Sequence, residues 1–305
     1  MKRIGVLTSG GDAPGMNAAI NGIVDEARKH NIEVRGYLEG YTGLIANDYI
    51  ELTPEVVKPH HHVGGTFLGT SRSEEFKKAE VQAGVAKQLK QDNVDGLVVI
   101  GGDGSYHGAY SLSKLGIQTI GIPGTIDNDI PLTELTLGFK TAIRNVVETV
   151  DIIIQSASSH KHLYCIEVMG RRAGDIARWT GRALDADGII AEPGDFDVNL
   201  VKETIEKSQA MNKRYQLFIL AEGVMSAQEF KEVVERETRY PIHPLLLGHI
   251  QRGGNPVAED RILGLDFGEH AVALLREGKT ERCTAVIDNK VTDVSFEETF
   301  ALIEK

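Results

Sequence analysis

Apolar residues come in short dense runs, separated by segments with helical spacing. RIGVLTS (3–9) reads as a first strand, followed by the loop GGDAPG. From 16 to 30 the apolar positions Ile20, Ile23, Val24 and Ala27 recur at the period of a helix. IEVRGYL reads as a second strand and DGLVVI (95–100) as a third. The near-continuous apolar character of DGLVVI suits a strand covered on both faces. QTIGI is a fourth, and HLYCIEVM, DGIIA and YQLFILAE are three more. This alternation predicts an α/β fold of parallel sheets joined by right-handed crossovers. A helical stretch at about 138–156 divides the chain, and a lobe boundary is expected near it.

Ligands of open parallel sheets bind beyond the carboxyl ends of the strands. Those ends carry the polar text: TSGGDAPG after the first strand, GGDGSYHG after the third, PGTIDND after the fourth, MGRRAGD after the fifth and AEGV after the seventh. These loops are expected to share one crevice. In GGDGS (101–105) the glycines let backbone N–H groups approach an anion, and a following helix N-terminus favours it. Asp103 makes sense there if a cation sits between it and a phosphate, and magnesium is bound in that manner. An ordinary glycine turn with a solvated Asp is the plainer alternative. TSGGDAPGMN has the same design around Gly10 and Gly11.

In PGTIDND, Asp127 and Asp129 stand two apart, which in extended chain puts them on one side. A kinase needs one carboxylate for metal and another to accept the proton of an alcohol. An Asx-type turn at a strand end is the structural alternative. Arg72 in GTSRSEEF has the planar fork suited to phosphate, or it could pair with Glu74 or Glu75. HIQRGG puts His249 and Arg252 on one helical turn. Neither GxxxxGK[ST] nor a GxGxxG at the first strand occurs, so a nucleotide would need another loop set.

Composition narrows the classes. The chain has 305 residues, long enough for two lobes, with 41% hydrophobic residues and a net charge of −11. So acidic a chain makes a poor partner for nucleic acid or a membrane surface, and an anionic substrate must be held by local cations. Cys165 and Cys283 form no CxxC and read as reduced thiols. No run is long enough for a membrane span or signal peptide, so a cytoplasmic protein is expected. The triplet His60–His62 reads as a solvated loop.

Together GVLTSGGDAPGMNAAI, GGTFLGTSR, VVIGGDGSYHGA, IGIPGTIDNDI, SSH, EVMGR, AEGV and LGHIQRGGNP, in this order and spacing, resemble the bacterial ATP-dependent 6-phosphofructokinases over nearly the whole chain. The resemblance implies a glycolytic kinase with two similar parallel-sheet lobes, the active site between them, and usually a homotetramer. The larger, ATP-binding lobe is expected at 1–138 plus 251–295, and the smaller, sugar-phosphate lobe at 139–250 plus 296–305. Gly11, Tyr41, Arg72, Ser73, Gly102, Asp103, Gly104 and Ser105 would line the ATP site, with Mg²⁺ on Asp103 and, through water, Asp129. Asp127 would be the base, with Thr125 beside the reacting phosphate and Ile126 next to it. Met169, Gly170, Arg171, Glu222, His249 and Arg252 would hold the sugar phosphate, and Arg72 and Arg171 would stabilise the transferring group. Pyrophosphate-using relatives carry Asp and Lys where this chain has Gly104 and Gly124, so the resemblance is to the ATP type.

Two departures stand out. The family places arginines on the sugar 6-phosphate across a subunit interface, and the matching positions here are His162 and His243. Histidine carries a part-time charge near neutral pH, and each charge-assisted bond lost is worth roughly 1.5–3 kcal/mol. Either neighbours such as Lys161 or Arg239 compensate, or the acceptor is a different sugar or sugar phosphate. The family's effector pocket gathers cations, whereas the matching positions here are Asn21, Asp25, Pro54, Ile154 and Met211, with Lys213 remaining. Activation by ADP and inhibition by phosphoenolpyruvate are therefore expected to be absent or weak. A weakly active regulatory paralogue is the reading from another class, and Asp103, Thr125, Asp127, Asp129 and Arg72 argue against it.

Overall fold

A computed structural model describes residues 1–160 and 162–303. Its strands are β1 (Arg3–Ser9), β2 (Glu33–Tyr37), β3 (Tyr49–Leu52), β4 (Gly96–Gly101), β5 (Gln118–Pro123), β6 (Leu163–Val168), β7 (Gly188–Ile190), β8 (Gln216–Ala221), β9 (Ile242–Leu246), β10 (Arg282–Ile287) and β11 (Lys290–Ser295). Its α-helices are α1 (Met16–Lys29), α2 (Tyr41–Ala46), α3 (Pro54–Val57), α4 (Ala79–Gln91), α5 (Asp103–Lys114), α6 (Phe139–His160), α7 (Asp175–Ala183), α8 (Val198–Ala210), α9 (Ala227–Thr238), α10 (Ala258–Arg276) and α11 (Phe296–Ile303).

The chain forms two compact units. The first comprises 1–125, 130–140 and 254 onward, and the second 126–129 and 141–253. The first holds a seven-stranded sheet in the order β11-β10-β5-β4-β1-β2-β3. Its centre is parallel, with Val6 opposite Val98 and Val98 opposite Ile120. Every residue of β4 is buried, as a strand covered on both faces requires. The two edges depart from the all-parallel expectation: β3 runs antiparallel to β2, and β11 to β10. β10 and β11 are joined by a tight reversal, a connection open only to antiparallel neighbours, whereas β2 returns to β3 through the short helix α2. β3 and β11 carry partly exposed, polar residues, which hid them among loop text.

The second unit holds a four-stranded parallel sheet, β7-β8-β6-β9. Leu163, Cys165, Phe218 and Leu220 pack with Val201 and Ile205 of α8 and Phe230 and Val234 of α9. Helix α9 opens with a capping box, in which Ser226 and Glu229 satisfy each other's backbone N–H groups.

The chain's end corrects the sequence expectation. Residues 296–303 belong to the first unit, not to the smaller one. Phe296 tilts against Tyr106 at 5.2 Å, Phe300 meets Tyr110 edge-on at 5.6 Å, and Tyr110 donates to Glu297 at 2.6 Å. The amphipathic helix α11 thus buries its aromatic face on α5, whereas the expectation gave it no partner there. Likewise 126–129 go with the second unit, and 251–253 as well. No helix among the described residues is long and apolar enough to cross a membrane.

Candidate active site

In the first unit the carboxyl ends of β1 and β4 are tied to the loop that carries Arg72. Thr8 Oγ1 donates to the Gly69 carbonyl at 2.7 Å, and Thr70 Oγ1 to the Gly10 carbonyl at 2.9 Å. The buried Asn17 amide donates to Val63 O and accepts the Phe67 N–H, both at 3.0 Å. Ser105 Oγ reaches Ser9 O at 3.2 Å. These bonds fix three separate segments, which leave Gly11, Arg72 and Gly104 exposed and Ser73, Gly102 and Asp103 partly so. Ser105 itself is buried. Glu74 pairs with Lys77 at 2.7 Å, so Arg72 is not consumed by that neighbour.

Tyr41 does not present its ring to a ligand. It is buried, stacked on Phe76 at 4.1 Å, and donates its hydroxyl to the Ser105 carbonyl at 2.6 Å. Burial pushes that phenol far above its usual range, so it stays a donor. Tyr41 therefore carries Ser105 rather than a ligand, which corrects the sequence assignment of its side chain.

Whether this loop suits a phosphate and a divalent ion is decided by what fills the space around it. A Cβ added at Gly102 or Gly104 would meet nothing within 4 Å, and neither glycine has a left-handed φ. The chain's own packing does not demand glycine there, whereas close approach of a ligand to the backbone would. Asp103 Oδ1 is enclosed without a hydrogen-bond partner and has His107 Nε2 at 3.4 Å. A carboxylate oxygen so placed fits a cation. Among the described residues no group of three or more His, Cys, Asp or Glu forms a metal cage. Magnesium does not need one, since it takes one or two carboxylates plus phosphate and water. Gly124 differs: its Cβ would press on Met16 Cε at 2.8 Å and Ile100 Cγ2 at 3.0 Å, so packing alone explains that glycine.

In the second unit, Asp127 is 1% exposed and Asp129 21%. Both meet one guanidinium: Arg171 Nε lies 3.3 Å from Asp127 Oδ2, and Nη1 lies 3.7 Å from Asp129 Oδ2. The two carboxylates share a side as expected, but by a turn and not by extended chain. Asn128 between them adopts a left-handed φ of 54° and donates to Asp175 at 2.9 Å. Asn tolerates that conformation better than most residues. Burial raises the pKa of Asp127 to about 6, with the Asp129 charge adding to it. Arg252 and Arg171 oppose the rise, and Glu222 supports it weakly.

Arg171 is aimed by its backbone. Its φ is 47°, its N–H donates to Glu222 Oε1 at 3.1 Å, and a Cβ on Gly223 would sit 1.8 Å from its carbonyl oxygen. Only glycine at 223 allows this close approach. Left-handed backbone at a non-glycine residue costs on the order of 1–3 kcal/mol, which the surrounding contacts must offset. The Met169 N–H donates to the fully buried Gln251, whose amide donates to Gly248 O at 3.0 Å. Asn145 Nδ2 holds Ile250 O and Gly253 O at 3.1 and 2.8 Å. These bonds shape the turn Gly248–Gln251, where His249 is exposed and Arg252 follows, its N–H on the His249 carbonyl at 3.0 Å. Gly170 is buried beside them.

His162 and His243 are not part of this cluster. They stack on each other at 4.1 Å, with Tyr164 5.2 Å from His243, at the amino ends of β6 and β9. Met169, Arg171 and Glu222 lie beyond the carboxyl ends of β6 and β8. Burial, then His162, lowers the pKa of His243 below the ordinary histidine value. Arg239 is exposed at the end of α9, and Lys161 lies outside the described residues. The loops expected to share one crevice come from both units: those after β1, β4 and β5 up to Thr125 belong to the first unit, and Ile126–Asp129 and the loops after β6 and β8 to the second. Asp103 belongs to the first and Asp129 to the second. Thr125 accepts from Thr136 Oγ1 through its carbonyl at 2.6 Å.

Reading for chemistry missed Asn17, Asn145 and Gln251. Each acts by fixing backbone, so its chemistry shows only once the partners are known. Gln251 lies inside the quoted HIQRGG and Asn17 ends TSGGDAPGMN, which was the signal available.

Comparison with known proteins bears on this arrangement. Residues 3–275 match the family described as Phosphofructokinase. The chain is 48% identical to an ATP-dependent 6-phosphofructokinase of Enterococcus faecalis, covering 98% of this chain and 93% of that one. It is 46% identical to the protein of the same name from Bacillus cytotoxicus, covering 99% and 94%. Among solved structures, phosphofructokinase from Saccharomyces cerevisiae superposes with a TM-score of 0.92 at 32% identity. All of this chain is covered there, and it spans 46% of the yeast chain's length.

Proposed function

Because this chain belongs to the phosphofructokinase family, we propose that it transfers the γ-phosphoryl group of ATP to the 1-hydroxyl of fructose 6-phosphate, giving fructose 1,6-bisphosphate and ADP. The observation that carries this reading is Asp127: a buried carboxylate with a pKa of about 6, kept in place by Arg171. Such a group is ionised at neutral pH yet basic enough to take an alcohol proton, the match a general base needs. Asp127 accepts the proton of the 1-hydroxyl as that oxygen attacks the γ-phosphorus and the bond to the ADP oxygen breaks. Arg171 releases the carboxylates to the reacting groups and, with Arg72, balances charge on the transferring group. Gly11, Gly102, Gly104, Ser73 and the backbone carried by Ser105 cradle the nucleotide phosphates, and Thr125 and Ile126 flank the reacting centre. Asp103 would hold Mg²⁺, with Asp129 reaching it through water. When bound, that ion neutralises phosphoryl charge. Met169, Gly170, Glu222, His249 and Arg252 orient the acceptor. The open space at Gly104 supports ATP over pyrophosphate as donor. The reading places the protein in the cytoplasm as a homo-oligomer, a tetramer by resemblance.

A second reading has its own observation. His162 and His243 lie at the amino ends of their strands, and His243 resists protonation. For them to hold a sugar 6-phosphate, a second copy must bring them to it, and His243 arrives weakly charged. An acceptor without that phosphate, or with it elsewhere, fits this better. One experiment tests both. With Asp127→Ser, ATP binding by calorimetry should persist while turnover falls by roughly 10²–10⁴. Specificity constants of the unaltered enzyme for fructose 6-phosphate and a panel of sugars should rank fructose 6-phosphate first. In the Asp127→Ser protein its affinity should rise from pH 8 to pH 6 as His243 charges, against the burial and the His162 neighbour that lower its pKa. Surviving turnover removes Asp127 as the base. An unphosphorylated sugar ranking first replaces the acceptor.

A further inference from the structure

The corrected position of α11 leads to a residue outside the roles assigned above. His107 lies one turn into α5, four residues beyond Asp103, and its side chain is about half exposed (53%). Positions four apart on a helix face each other. One edge of the imidazole points at Asp103, with Nε2 3.4 Å from Oδ1. One face lies flat on the Phe300 ring, with centroids 4.0 Å apart and planes 8° apart. Phe300 is itself fixed, buried between Phe296 at 6.0 Å and Tyr110 at 5.6 Å. The first turn of α11 is closed locally: Thr299 donates to Ser295 O at 3.0 Å, and Glu298 accepts the Ser295 N–H at 3.1 Å.

A half-exposed histidine on a helix surface ordinarily samples several rotamers. This one is restricted on one face by an aromatic ring and on one edge by a carboxylate. Nearby, Ser105 Oγ donates to Ser9 O and Ser105 O accepts from the Tyr41 hydroxyl, so neither is turned to Asp103. Asp103 Oδ1 is enclosed and lacks a hydrogen bond, so His107 is the polar neighbour that biases its orientation.

We infer that His107, held flat against Phe300 of the C-terminal helix, is a positioning residue that orients the Asp103 carboxylate for a divalent cation bound with nucleotide. This rests on the assignment of Asp103 to the metal in the proposed function. The helix α11 thereby sets the affinity of the nucleotide site for its metal-bound form without touching the nucleotide. Partners of this kind around a metal-binding group typically change affinity by 10- to 100-fold when lost. The half-exposed setting puts His107 at the lower end.

The test is binding without turnover. Dissociation constants of ATP are measured by calorimetry on the full-length protein, with excess Mg²⁺ or Mn²⁺ and again in chelator with no divalent ion. His107→Ala should weaken Mg·ATP and Mn·ATP binding by about tenfold and leave metal-free ATP within about twofold. His107→Phe keeps a ring on Phe300 but no N–H, and should lose as much as the alanine variant. His107→Gln can still donate to a carboxylate four residues away and should stay within about threefold of the unaltered protein. Phe300→Leu, which keeps the core filled, should show a smaller loss confined to the metal-bound form. Equal losses with and without metal would overturn the inference, because they point to base stacking or general loop support. Unchanged binding in His107→Ala would overturn it too. Failure of the unaltered protein to bind Mg·ATP at all would overturn both this and the assignment of Asp103 beneath it.

Discussion

The Gly102–Ser105 loop of the first unit and the Asp127–Arg171 cluster of the second are both assigned to phosphate chemistry, and they are built in opposite ways. Around Gly104 the chain leaves space: a side chain would meet nothing, and the neighbouring groups are settled by bonds to the backbone. Around Asp127 the chain leaves almost none. A carboxylate is buried beside a second carboxylate and an arginine whose backbone is bent left-handed to reach them. The loop is left open, with room for a ligand and no contact of its own to fill it. The cluster holds an unfavourable charge before any ligand arrives. One region is therefore expected to tolerate substitution in the empty protein and fail on binding. The other is expected to become more stable when its function is removed.

The largest effect separates these directly. Asp127→Asn should reduce turnover as severely as Asp127→Ser does, yet raise the thermal midpoint at pH 8. The sign follows from the pKa of Asp127, raised to about 6 in the fold from an ordinary 3.8. The folded state binds the proton more tightly than the unfolded chain, so the ionised form is penalised. That penalty is fully present above about 6 and disappears as pH falls below the unfolded value. A two-unit rise corresponds to about 3 kcal/mol, with the attraction of Arg171 and Arg252 already inside it, and imperfect hydrogen bonding of the amide brings the expected gain to about 1–3 kcal/mol. Denaturation curves from pH 8 to pH 4 should show the advantage of the variant shrinking. An advantage that is flat with pH would break the contrast.

A pair of glycine changes comes next. Gly104→Asp should leave the melting temperature of the empty protein unchanged and weaken Mg·ATP binding by at least about tenfold, since a carboxylate beside a triphosphate opposes it by roughly 1–4 kcal/mol. Gly124→Ala should do the reverse. Its Cβ presses on Met16 and Ile100, and overpacking of that kind costs about 1–3 kcal/mol of stability. If both lower the melting temperature equally, the openness of the Gly104 loop is not what sets it apart.

The smallest expected effect is none. Lys213, the cation remaining among the candidate effector positions, donates to Asp187 at 2.7 Å, and Asp187 is nearly buried and also accepts the Leu217 N–H at 2.9 Å. Asn21 donates to Asp25 at 3.2 Å. Saturation curves for the acceptor should keep the same midpoint and shape with ADP or phosphoenolpyruvate added. A sigmoidal shift by phosphoenolpyruvate would show that another cationic pocket exists.

The central strands were legible because burial on both faces writes itself as continuous apolar text, as in β4 and β8. The edges β3 and β11 were not, because a strand with one neighbour and half-exposed residues resembles a loop. The pairing of Asp127 with Asp129 was legible as spacing, though the left-handed Asn128 that produces it was not, since a single turn leaves no period. Tyr41 shows the opposite failure. Its place among the site motifs was readable, but whether a ring faces a ligand or a neighbouring helix depends on Phe76 and Gly108, far along the chain. The stacking of His162 on His243 likewise depends on strand register across β6 and β9, which no local pattern encodes.

The seven-stranded sheet has a consequence for how the molecule is made. β10 lies directly beside β5, with the entire second unit between them in the chain. During synthesis the second unit has all of its strands before the partner of β5 leaves the ribosome. Until β10 and α11 arrive, β5 presents an open edge and Tyr106 and Tyr110 lack their aromatic cover. The nascent chain is therefore most prone to mispairing at β5, a vulnerability of the growing polypeptide that the finished sheet conceals.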